Sequence, residues 1–186
     1  MVALRAYKAA KVYADKGDIK NAIAMYELAI EDDPVNSALH DRFSWLLLNR
    51  TEQYDYAEKI SKKAIELDKN NCDAIVGLAL VYYRVGNILE GDNCINQAEL
   101  KGRTYSFCNL RKAIARYHKE KTETEINDKI SLLEDAQGKL ENAEKRNKNN
   151  GGYDAKNLSD IIKYQDLTRA KLSILRAKRT RMSNSM

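Results

Sequence analysis

One proline, three cysteines, two histidines, one tryptophan and two phenylalanines are all that 186 residues contain of these types. Each scarcity excludes something. Cys72, Cys94 and Cys108 are odd in number and have no CxxC spacing, so no disulfide framework is expected; small buried thiols in a reducing, cytoplasmic compartment are. His40 and His118 lie far apart, without metal-ligand spacing, a phosphate loop or a nucleophile motif beside them, so no catalytic residue, metal or cofactor is predicted. The longest apolar run, Ile75 to Tyr83, is too short to span a bilayer, and no signal-peptide pattern opens the chain, so no membrane partner is expected. Met1 stands almost directly against the first helical pattern, which raises the expectation that the chain is a segment of something longer.

What the chain does have is a period. Small residues recur every 34 or 35 positions in three series: Ala10, Ser44 and Ala79; Ala22, Ala57 and Gly91; Ala29, Ala64 and Ala98. A fixed step of that length is the mark of stacked helical hairpins, whose helices meet closely only where side chains are small. Tyr13 to Leu47 is 34 positions and Leu47 to Tyr82 is 35, whereas Ala22 to Ala57 is 35 and Ala57 to Gly91 is 34. The one extra residue of the middle segment therefore falls between Leu47 and Ala57, and is assigned to the turn between two helices, where insertions are tolerated.

The stretch from Lys11 to Pro34, KVYADKGDIKNAIAMYELAIEDDP, resembles a tetratricopeptide repeat. Tyr13 fits its large first-helix position, Gly17 and Asp18 its turn, Ala22 and Ala29 its close-packing positions, Tyr26 the aromatic between them, and Pro34 the terminal stop. The resemblance covers three repeats, 3–36, 37–71 and 72–105, and weakens along them: Thr51 replaces the turn glycine and Lys69 the proline in the second, and Arg103 the proline in the third. A degenerate fourth first helix is placed over 106–121, with Leu110, Ala113, Ile114 and Tyr117 on one face and no normal second helix after it. The implied fold is an all-α helical-hairpin solenoid.

Residues 122–182 read as a long helical hairpin. Ile126, Ile130, Leu133, Leu140 and Ala143 form one stripe, the run from Asn147 to Tyr153 breaks it, and Leu158, Ile161, Ile162, Leu172 and Leu175 form another after a restart near Asp154. This pair either caps the exposed face of the last repeat or forms a homodimer. Residues 183–186 are expected to be a disordered tail.

Residues 1–105 hold 14 Lys/Arg against 16 Asp/Glu, and residues 106–186 hold 18 against 11, so the net charge of +5 arises entirely in the second part. It peaks at Arg176, Lys178, Arg179 and Arg181, read either as a basic patch for nucleic acid or as cations favouring a helix C-terminus. The resemblance places a groove for a protein or peptide partner along the first helices: Tyr7, Lys8, Lys11 and Asp15; Asp41, Arg42, Trp45 and Asn49; Val76, Leu80, Tyr83 and Arg84; and Arg111 and Tyr117 in the degenerate unit. Its aromatic and basic content suits acidic or phosphorylated segments. The family's clamp for a C-terminal chaperone carboxylate is not reproduced, because Tyr7 stands at its first lysine, Lys11 and Arg42 at its two asparagines, and Asp73 and Gly77 at its last lysine and arginine. Three functions are thus expected in competition: a non-catalytic scaffold binding a peptide in the groove, nucleic-acid binding through the basic C-terminal helix, and a C-terminal sensor or regulatory domain of a larger enzyme.

Overall fold

A computed structural model describes residues 2–119, 125–149 and 155–184, and every regular element among them is helical. The helices are α1 (Val2–Asp15), α2 (Ile19–Asp32), α3 (Ser37–Arg50), α4 (Tyr54–Leu67), α5 (Cys72–Arg84), α6 (Ile88–Leu100), α7 (Tyr105–Lys119), α8 (Ile126–Asn149) and α9 (Ala155–Ser183). None of them is long and apolar enough to cross a membrane. The chain divides into two compact units, Met1–Gln97 and Ala98–Met186, with the division inside α6.

In the N-terminal unit the periodic small residues do what close packing requires. Ala10, Ala22, Ala29, Ala57, Ala64 and Ala79 are fully buried and Ser44 nearly so. The Ser44 hydroxyl donates to the Ala57 carbonyl at 3.1 Å and lies 2.6 Å from the Ser61 hydroxyl, so the one polar member of its series is satisfied across the hairpin. Between hairpins, Asn71 caps α5 through the Ala74 amide while its amide nitrogen donates to Ser37 Oγ at 2.7 Å, and Ser37 in turn donates to the Ala64 carbonyl. The α1 N-terminus is closed from α2: the Ala3 amide donates to Asp32 Oδ2 at 2.8 Å, a carboxylate placed where helix N–H groups are otherwise unsatisfied.

The turns explain how the second repeat manages without glycine. After α1 and α5, Gly17 and Gly86 take φ of 80° and 82°, and the next amides, of Asp18 and Asn87, bond back to the Tyr13 and Tyr82 carbonyls at 2.9 Å. At α3 no left-handed residue is used; Thr51 stays extended, and both its amide and its hydroxyl donate to the Leu47 carbonyl, at 3.1 and 2.6 Å. Contrary to the expectation from the spacing, the extra residue is not in the turn. It lengthens α3, which runs to Arg50, because a helix closed by a side chain has no fixed glycine at which it must stop.

In the C-terminal unit α7 and α8 form a packed pair, so the degenerate first helix does acquire a partner, longer than a repeat would supply. Leu110, Ala113, Ala136, Leu140, Ala143 and Ile161 form one core cluster, and Tyr117, Ile130, Leu133 and Leu172 another. Buried Arg116 pairs with Asp135, which also holds Lys139 at 3.2 Å. Buried Gln165 donates to Glu144 Oε2 at 2.9 Å. Three expectations are corrected here. The α8 helix continues through Asn149, three residues into the expected break, since Asn147 is buried rather than looped out. Ile162 is exposed, and the buried stripe of α9 is instead Ile161, Gln165, Thr168 and Leu172. Ser183 belongs to α9, its hydroxyl donating to the Arg179 carbonyl, so the tail is helical one residue further than expected. Residues 120–124, 150–154 and 185–186, including the rest of the predicted loop and tail, lie outside the described residues.

Candidate functional site

The face built by α1, α3 and α5 of the N-terminal unit gathers most of the groove residues. Lys8, Lys11, Asp15, Arg42, Asn49 and Arg84 are exposed, and Tyr7, Trp45 and Leu80 half-buried. Lys8, Lys11 and Arg84 make no ion pair among the described residues. Asn49 is oriented by its side-chain amide, which donates to the Trp45 carbonyl at 2.8 Å. Trp45 is flanked by Phe43, Leu46 and Leu47, all buried, yet keeps part of its own ring in solvent.

Other members of the expected set are placed differently. Val76 is buried, as is Asp41, which lies 4.0 Å from the Arg42 guanidinium. Tyr83 is taken up inside its own hairpin: its ring occupies the space a side chain at Gly91 would need, and its hydroxyl donates to Asp92 at 2.8 Å. Arg111 and Tyr117 belong to the C-terminal unit. Arg111 lies 4.9 Å over the Phe107 ring, where burial lowers its pKa, and Tyr117 is buried beneath the Lys171 ammonium, 4.1 Å from the ring centroid. Of the basic residues on α9, Arg176 is paired with Glu134 at 2.7 Å, whereas Lys178, Arg179 and Arg181 are exposed and make no ion pair among the described residues.

Behind the α1–α3 face an aromatic ladder fixes the geometry. Tyr26 of α2 stacks on Phe43 at 5.4 Å and 13°, meets Tyr7 edge-on at 5.9 Å, and Phe43 meets Tyr56 edge-on at 5.5 Å. Such contacts are each worth about 0.5–1.5 kcal/mol beyond the area they bury. Tyr26 is only 5% exposed. Its hydroxyl makes no hydrogen bond among the described residues, and its oxygen is the part of the side chain that keeps contact with solvent. The side chains whose charges act on it are Tyr7, Arg42, Asp41 and Asp15, all on α1 and α3, so the hydroxyl end is turned toward the exposed face. The sequence reading treats Tyr26 as a packing aromatic alone. The signal that finds it is the oxygen itself, at a position where phenylalanine packs equally well.

Burial, and then the neighbouring Tyr7, raise the Tyr26 pKa from 10.0 to about 12, with Asp41 and Asp15 adding to the rise and Arg42 opposing it. The folded chain therefore holds this proton more tightly than the unfolded one, and the associated stability is complete below pH 10 and lost as pH climbs from 10 toward 12. Cys94, pushed up from 9.0 to about 11 chiefly by burial, acts in the same direction. Urea midpoints measured between pH 8 and about 12 are expected to fall across this window, and to fall less for Tyr26→Phe; an equal fall in the variant overturns the assignment to Tyr26.

Beside this ladder, a cavity of about 660 Å³ opens between the starts of α1 and α3 and the end of α2, with Leu4, Tyr7, Leu39 and Arg42 in its wall. Asp32, Asp33 and Asn36 also line it, and each is committed to backbone capping or to its neighbour. No group of three or more His, Cys, Asp or Glu among the described residues is arranged to hold a metal ion.

Residues 6–36 match the family described as tetratricopeptide repeat. The chain carries that repeat. Its fold as a whole is a tetratricopeptide-type helical-hairpin solenoid with a long C-terminal helical hairpin, and it resembles solved structures over most of its length. The crystal structure of MamA protein aligns with a TM-score of 0.58 over 91% of this chain and 94% of that one, at 14% identity. YrrB, described as a TPR protein with an unusual peptide-binding site, aligns at 0.54 over 88% and 87%, with 15% identity. A Thermobaculum terrenum O-GlcNAc transferase mutant aligns at 0.55 over 75% of this chain but 26% of the transferase, at 15% identity. Likenesses at these identities establish the tetratricopeptide fold and nothing of the chemistry. Comparison with curated proteins found no match.

Proposed function

We propose that this tetratricopeptide chain is a protein-interaction scaffold whose α1–α3–α5 face binds a peptide or protein segment bearing acidic groups. The observation that carries the reading is the state of that face. Lys8, Lys11 and Arg84 stand exposed with no ion pair among the described residues, beside half-buried Tyr7, Trp45 and Leu80. Aromatic surface supplies contact area at low entropic cost, and unpaired cations supply charge-assisted hydrogen bonds, so the combination favours an extended segment with carboxylate or phosphate groups. The fold supports a scaffold generally, and YrrB is a solved relative in shape that is described by its peptide-binding site.

The experiment is a peptide selection from a random library against the immobilised protein, followed by affinity measurement on Lys11→Glu/Arg42→Glu. With helicity unchanged by circular dichroism, the double variant is expected to lose at least tenfold in affinity for the selected peptides. Full affinity in a folded double variant removes this face from consideration.

A further inference from the structure

We propose that the outward face of α9 is a second docking surface, one that takes an acidic amphipathic helix of a partner protein. It belongs to the C-terminal unit and does not depend on the groove reading. The fold uses α9 on one side only, where Ile161, Gln165, Thr168 and Leu172 are buried. A second stripe, Leu167, Ala170, Ile174 and Ala177, is spaced 3, 4 and 3 residues apart, which puts it on the opposite side of the helix. All four are exposed, Ile174 at 68% and Leu167 at 39%. Steps of 3 and 4 are those a second helix matches. The stripe also alternates a branched side chain with an alanine, so bulky residues of an incoming helix find room over Ala170 and Ala177. Its apolar length is about 15 Å, or about three turns.

Charge identifies the occupant. From Ile161 to Asn184 the helix carries seven Lys and Arg against one acid, Asp166, and that acid lies 3.8 Å from Arg169. Lys163 and Arg181 close the stripe at its two ends and Lys178 stands along its edge; none of the three makes an ion pair among the described residues. Glu134 of α8 is taken up by Arg176. A helix with carboxylates beside its apolar positions supplies what these cations lack. The same count argues against a second copy of this chain, since seven less one leaves six net positive charges on each of the two facing helices. A lipid surface suits the charge but not the stripe, because two of its four members are alanines and none is aromatic, which leaves little to insert. Nucleic acid suits the charge too, yet it would press phosphates against exposed Ile174.

The probes are two acetylated, amidated three-heptad peptides with leucine at the first and fourth positions of each heptad, one flanked by glutamate and the other by lysine. Each is fluorescently labelled and titrated with the full chain at about 0.15 M ionic strength. The acidic peptide is expected to bind saturably, to gain helicity, and to bind at least tenfold tighter than the basic one. Ile174→Ser and Lys178→Glu/Arg181→Glu change only exposed positions, so thermal stability should hold while each lowers the affinity at least tenfold. Lys11→Glu/Arg42→Glu is expected to keep full affinity for this peptide, which separates the α9 surface from the groove. If the acidic peptide does not bind, or if Ile174→Ser binds it with full affinity, the α9 surface is overturned. Loss of affinity in Lys11→Glu/Arg42→Glu alone would assign the peptide to the groove and overturn it as well. So would tighter binding, at the same salt, to duplex DNA or to vesicles of phosphatidylserine and phosphatidylcholine.

Discussion

Phe43→Ala is expected to destabilise the N-terminal unit by about 3–5 kcal/mol, measured as the change in urea-unfolding free energy. Phe43 is fully buried and is the middle rung of the aromatic ladder, stacked on Tyr26 and edge-on to Tyr56. Truncation removes the transfer energy of the ring and leaves a void that α3 cannot close, because Leu47 and Ala57 around it are also fully buried and the hairpin contact is set by alanine-sized spacing. The variant also frees Tyr26 from its stack, so the α1–α3 face should lose order along with stability. A loss below about 1 kcal/mol would mean that the ladder is not packed as described.

Gly91→Ala is expected to destabilise by about 1–3 kcal/mol, against the usual trend. In a helix interior the exchange ordinarily stabilises by about 0.5–1 kcal/mol, since alanine restricts the unfolded chain and favours the helix. Here the added methyl would fall within the Tyr83 ring, and that ring is held in place by its bond to Asp92. The pairs along the repeat show the compensation: Ala14 with Ala22, Leu48 with Ala57, Tyr83 with Gly91. The largest partner meets the smallest. Gly91→Ala combined with Tyr83→Leu should therefore recover most of the lost stability, restoring the size relation of the second hairpin. Thermal unfolding of both variants reads the coupling, and additive losses in the double variant would sink it.

The architecture was legible because its cause is local and periodic. A helix pair can approach only where side chains are small, and Ala10, Ala22, Ala29 and their successors state that rule three times over. Gly17 and Gly86 were legible for the same kind of reason, each sitting where a left-handed residue closes a helix. Where two solutions exist for one problem, the sequence was ambiguous. Thr51 closes α3 by side-chain bonding, and the extra residue went into the helix instead of the turn. The candidate site was only partly readable, since spacing assigns a residue to a helix face but not its depth. Val76 and Asp41 lie on the expected helices yet are buried, and Tyr83 is spent on its neighbour. Tyr26 was read only as a packing aromatic, because periodicity ranks a tyrosine as a hydrophobe and says nothing about where its oxygen lies.

Buried Gln165 on α9 bonds to half-buried Glu144 on α8, with Ile161 and Leu172 on either side of the glutamine along its helix. Apolar seams alone tolerate sliding, because leucine meets isoleucine about equally well one heptad away. An amide in the middle of the seam does not, since sliding would separate buried Gln165 from its acceptor and cost the amide that hydrogen bond. The pair thus acts as a vernier mark on the hairpin, selecting one phase among several that greasy contact would permit.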